Sequence, residues 1–67
     1  MADSEMLKKY LKDSGKSKTH VSTKAMVSRP RLDKILDHPE TATAFQAMAL
    51  SKELEVPSDM QPIIFYP

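Results

Sequence analysis

The sequence predicts an all-α fold, four short helices in one small domain followed by a proline-punctuated tail. Three observations point there. Apolar residues recur at helical rather than alternating spacing over most of the chain. The apolar stretches are preceded by aspartate, serine or threonine residues that can cap a helix, and several are closed by glycine or proline. A chain of 67 residues and 7.6 kDa has room for little more than one layer of core side chains.

The first helix is capped by Asp3 or Ser4 and turns Met6, Leu7, Tyr10 and Leu11 to one face. Gly15 falls where a left-handed residue is wanted, and ends it. Ser17 caps a second helix of about eight residues with Val21, Ser22 and Ala25 inward. Met26 and Val27 interrupt the pattern, and Ser28 caps a third helix. Pro30 lies in that helix's first turn, where a missing N–H is harmless. Leu32, Ile35 and Leu36 form its apolar stripe, and His38 before Pro39 closes it. Thr41 or Thr43 caps a fourth helix with Ala44, Phe45, Met48, Ala49 and Leu50 inward, ending near Leu54. Leu32, Ile35, Phe45 and Met48 are expected to pack together between the third and fourth helices. Residues 1–56 thus form the helical domain, and residues 57–67 an extended tail whose β-branched and aromatic Ile63–Tyr66 suit extended backbone. No internal repeat is visible.

Composition excludes several functional classes. There are no cysteines, so neither disulfides nor thiolate metal sites arise. Two histidines are too few for an imidazole zinc site. The single glycine, Gly15, leaves no Gly-rich phosphate loop. His38 reads as a turn residue and His20 as an exposed helix residue, so no enzyme and no cofactor are expected. Apolar content of 40% without a membrane-length run implies a soluble domain, cytoplasmic in the absence of a signal-like amino terminus. The net charge of +1 hides an asymmetry. From Lys8 to Lys34, nine lysines and arginines face only Asp13 and Asp33. From Ile35 onward, Lys52 alone faces five acids. A basic half of that kind suits a polyanion, although each single lysine is also explained as solvated surface charge.

The segment from Ser17 to Leu36 is the informative one. Two short helices around a tight break form a helix-turn-helix unit when the crossing residue is small and the flanking positions are apolar. Ser22 is small, and Ala25, Val27, Leu32 and Ile35 fill the apolar positions. The trailing helix would then present Arg29, Arg31 and Lys34, side chains that suit guanine edges and phosphate oxygens.

The run Lys18-Thr19-His20-Val21-Ser22-Thr23-Lys24-Ala25-Met26-Val27-Ser28-Arg29-Pro30-Arg31-Leu32-Asp33-Lys34-Ile35-Leu36, followed by Thr41 to Leu54, resembles the lambda-repressor-like superfamily (Cro and XRE types), and in particular small phage regulators and XRE-type antitoxins. The resemblance covers roughly Glu5 to Val56. It implies a compact four- to five-helix helix-turn-helix domain that binds operator DNA as a dimer and regulates transcription, usually as a repressor. The sequence departs from the family pattern at Ser22, where alanine is frequent, and at Met26, where glycine is usual. From Pro57 it does not match a standard fifth helix.

By position, the resemblance makes Arg29, Arg31 and Lys34 the groove-facing residues of the trailing helix. Ser28, Lys18 and Thr19, at the starts of the two helices, would meet phosphates. Lys16 and Lys24 are further phosphate candidates. The partner expected is double-stranded DNA, with the apolar tail offered to a second copy or to a regulatory protein. The alternative reading is an antirepressor or modulator that uses the same fold to bind another regulator.

Overall fold

In the computed structural model, which describes residues 2–66, four of the five α-helices start on a side chain that accepts a backbone N–H. Asp3 caps α1 (Ser4–Ser14), accepting from Met6 at 3.0 Å. Ser17 caps α2 (Lys18–Ala25), accepting from His20 at 3.1 Å. Ser28 caps α3 (Arg29–Asp37), accepting from Arg31 at 3.3 Å. A 3-10 turn over Pro39–Thr41 leads to α4 (Ala44–Leu54). There Thr43 accepts from the Gln46 amide at 3.1 Å, and the Gln46 side chain accepts from Thr43 N–H at 3.0 Å, a reciprocal capping box. Met1 and Pro67 lie outside the described residues, so the last proline of the tail is not placed.

The tail is a helix, not an extended segment. Residues Gln61–Phe65 form α5, which has no side-chain cap. Its first turn is fed instead by the Pro57 carbonyl, which accepts from Met60 at 3.0 Å and Gln61 at 3.2 Å. Pro62 occupies the first turn of α5, where proline is tolerated. Ile64 and Phe65 are buried, whereas Ile63 and Tyr66 are about half exposed. Adjacent burial of Ile64 and Phe65 is a helical pattern, and it replaces the strand alternation expected from the sequence. The Asp3 amide donates to the Ile64 carbonyl at 3.0 Å, tying α5 to the start of α1.

The core is a single cluster drawn from every helix: Leu7 of α1, Val21 and Ala25 of α2, Leu32, Ile35 and Leu36 of α3, Ala47, Leu50 and Leu54 of α4, and Ile64 and Phe65 of α5, with Val27 and Val56 from the turns. Met6, Tyr10 and Leu11 pack against it from α1. The inward face of α4 is rotated from the one expected. Its buried residues are Ala47, Leu50, Ser51 and Leu54, the i, i+3, i+4, i+7 stripe. Phe45 is 64% exposed and Met48 67%, so neither joins Leu32 and Ile35 in the core. Among the described residues there is no strand, and no helix is long and apolar enough to cross a membrane.

The ends of α2 and α4 are built alike. Val21-Ser22-Thr23-Lys24-Ala25-Met26-Val27 and Leu50-Ser51-Lys52-Glu53-Leu54-Glu55-Val56 share an apolar–Ser–x–x–apolar–x–Val pattern, a short recurrence that a search for whole repeats passes over. Each helix stops on a left-handed residue that is not glycine, Met26 (φ 58°) or Glu55 (φ 56°). In each, the valine amide reaches back to the serine carbonyl, at 2.9 Å for Val27 and 2.8 Å for Val56. The preceding amide donates to the third-last helical carbonyl region as well, Met26 to Thr23 and Glu55 to Lys52. This pair of bonds is a Schellman turn, with the buried valine providing its apolar clasp.

Candidate nucleic-acid interface

The Schellman turn at Met26 sets how α3 leaves α2. Val27 is pulled into the core, Ser28 caps, and α3 starts at once. Ser22, buried where α2 crosses its neighbours, donates its hydroxyl to the Thr19 carbonyl at 2.9 Å. A small side chain with its own local acceptor lets the helices approach without an unpaired polar group.

This construction brings together the starts of α2 and α3. Arg29 Nη1 donates to Thr19 Oγ1 at 3.2 Å. Arg29 Nη2 lies 4.0 Å from Asp33 Oδ2, and Lys18 Nζ lies 3.4 Å from Asp33 Oδ1. Lys18, Thr19, Ser28 and Arg29 are all exposed. Lys34 is exposed further along α3 and makes no ion pair among the described residues. Five of the six residues expected to face DNA thus lie on exposed parts of one helical pair.

Arg31 departs from that set. It is half-buried, and its Nη2 donates to the Thr41 carbonyl and, at 3.3 Å, to Gln46 Oε1. Gln46 Oε1 therefore accepts from both Arg31 and the Thr43 amide. The guanidinium clamps α3 to the 3-10 turn and the capped start of α4, so it is engaged within the protein. Neither Gln46 nor Asp33 was a candidate site residue in the sequence, because each meets a partner on another helix, Arg31 for Gln46 and Lys18 for Asp33. Asp33 could have been noticed as the lone acid between Lys16 and Leu36.

The remaining charges brace the scaffold. Lys8 on α1 meets Asp37 at the end of α3 at 3.0 Å, and this hydrogen bond and charge hold the Asp37 carboxyl below its ordinary range. Lys16 Nζ donates to the Glu53 carbonyl at 2.7 Å and to Glu53 Oε1 at 3.0 Å, lowering the Glu53 carboxyl in the same way. His20 Nε2 is 3.5 Å from the same oxygen. A cleft of about 420 Å³ between α1, α2 and α3 has Leu11 and Leu36 among its lining, and the Lys8–Asp37 and Lys18–Asp33 pairs beside them. Its charged groups form ion pairs with one another. Among the described residues, no group of three His, Cys, Asp or Glu side chains gathers to hold a metal ion.

In comparisons with known proteins, no family model matches the chain, and no curated protein or solved structure does either.

Proposed function

We propose that this protein is a small sequence-specific DNA-binding transcriptional regulator of the phage-repressor or antitoxin kind, its α2 and α3 acting as a lambda-repressor-like helix-turn-helix with α3 in the major groove. The observation that carries the reading is the gathering of Lys18, Thr19, Ser28 and Arg29 at the joined starts of α2 and α3. An α-helix with its side chains is about 10–12 Å across, which suits a major groove about 12 Å wide. In this reading Arg29 and Lys34 meet base edges, and Lys18, Thr19 and Ser28 meet phosphates. Arg31 moves in the same reading from reader to support, since its Nη2 is engaged by Thr41 and Gln46.

A second reading has one observation in its favour. Phe45 and Met48 sit three residues apart on α4, both exposed, and such a pair suits protein contact. A modulator that binds another regulator through α4 would use it. Ile63 and Tyr66 are the apolar surface that α5 leaves for a second copy or a partner.

The two arginines separate the readings. Arg29→Ala is expected to weaken duplex binding by about 1–3 kcal/mol while leaving helicity and melting unchanged. Arg31→Ala is expected to lower the melting temperature, because it releases the start of α4. Fluorescence anisotropy and circular dichroism on the same samples measure both. Equal duplex affinity for wild type and Arg29→Ala would refute the assignment of α3.

A further inference from the structure

Asp33 is the one acid among six bases between Lys16 and Leu36. It stands on α3 within ionic reach of two candidate DNA-facing cations on different helices, Lys18 at 3.4 Å and Arg29 at 4.0 Å. Its Oδ1 is shut off from solvent, yet among the described residues no donor meets it in hydrogen-bond geometry, and Lys18 is its ionic partner only. The side chain as a whole is about half exposed, so both ion pairs lie open to an anion from solvent. The geometry has two further consequences. Lys18 and Arg29 are held by the charge type that a phosphate would offer them. A polyanion reaching α3 competes with Asp33 for both cations.

We propose that Asp33 is an internal competitor for phosphate, a positioning residue that holds Lys18 and Arg29 in the free protein and suppresses binding to DNA of arbitrary sequence. The inference rests on the reading of α3 as the DNA-facing helix. Non-specific attraction is a sum of phosphate neutralisations, so tethering two cations lowers it directly. A correct site offers Arg29 base-edge bonds that a random site does not, and those bonds repay the release. Asp33 thus raises the threshold for binding equally everywhere and leaves the base contacts to decide where binding occurs.

The test is a salt titration of intact wild type, Asp33→Asn, Asp33→Glu and Asp37→Asn against a mixed-sequence DNA duplex. Asp33→Asn is expected to bind about two- to thirtyfold tighter at low salt, the range for releasing two exposed ion pairs. Its slope of log K against log salt should steepen by about 1 to 2, one phosphate for each cation freed. Asp33→Glu, keeping the charge, should behave as wild type. Asp37→Asn makes the same change in net charge but frees Lys8 on α1, and should move the slope by less than half as much. Asp33→Ala, with a better helix-forming residue, repeats the measurement if the asparagine variant loses helix. If wild type binds and neither Asp33→Asn nor Asp33→Ala gains affinity, the competitor role is overturned and the DNA reading stands. An equal gain from Asp37→Asn overturns it too, since net charge alone would then explain the effect. If no variant binds the duplex even at low salt, both readings fall together.

Discussion

The ends of α2 and α4 use the same local device for different purposes. Both stop on a left-handed non-glycine residue, both bury a serine four residues before that stop, and both clasp a valine into the core. They differ in two respects. Ser22 gives its hydroxyl to the Thr19 carbonyl, whereas Ser51 is buried with no partner for its hydroxyl among the described residues. The first turn also releases a capped, basic α3, while the second releases an uncapped, apolar α5. The turn sets direction, and the residues after it decide whether the next helix serves the surface or the core.

That contrast is broken most strongly at Phe65. It is 2% exposed on α5, and Phe65→Ala should cost about 3–5 kcal/mol. A chain of this length has roughly 3–10 kcal/mol of stability in all, so the variant should be largely unfolded near 37 °C. Thermal denaturation followed by circular dichroism checks this, and a melt close to wild type would show that α5 is not part of the core. A smaller effect of opposite sign is expected at the two serines. Ser51→Ala removes an unpaired buried hydroxyl and should stabilise by about 1 kcal/mol, whereas Ser22→Ala removes a paired one and should be neutral or destabilising by up to about 1 kcal/mol. Urea denaturation of the two variants compares them directly. The smallest effect concerns what the two turns share. Met26→Gly and Glu55→Gly both relieve a left-handed backbone that non-glycine residues adopt at about 1 kcal/mol, and both should raise the melting temperature slightly and to a similar extent. Unequal shifts would mean that one of the exposed side chains makes a contact of its own.

The same contrast explains what was legible in the sequence. The caps at Asp3, Ser17, Ser28 and Thr43 depend on bonds spanning three residues, and such bonds are written locally. The apolar stripes of α2 and α3 were legible for a similar reason. The phase of α4 was not, because Phe45 and Met48 are as large as the leucines of that helix while the true stripe passes through Ala47 and a serine. Bulk suggested burial, and the actual rotation is set by Leu50 and Leu54 meeting the other helices in the core. The fifth helix was hidden by proline and β-branched residues that favour extended backbone locally. Burial of Ile64 and Phe65 against the rest of the core outweighs that preference. At the candidate interface, exposure of Lys18, Thr19, Ser28, Arg29 and Lys34 followed from their positions beside the apolar stripes. The direction taken by Arg31 did not, because its acceptors lie ten and fifteen residues away.

Whether the starts of α2 and α3 meet DNA, as proposed, is read from the backbone amide resonances of the intact chain while a DNA duplex is added. Shifts are expected at Lys18, Thr19, Ser28, Arg29 and Arg31 to Lys34, with α1 and α5 little changed. Shifts confined to Phe45, Met48 and the end of α5, or none anywhere at low salt, would contradict it.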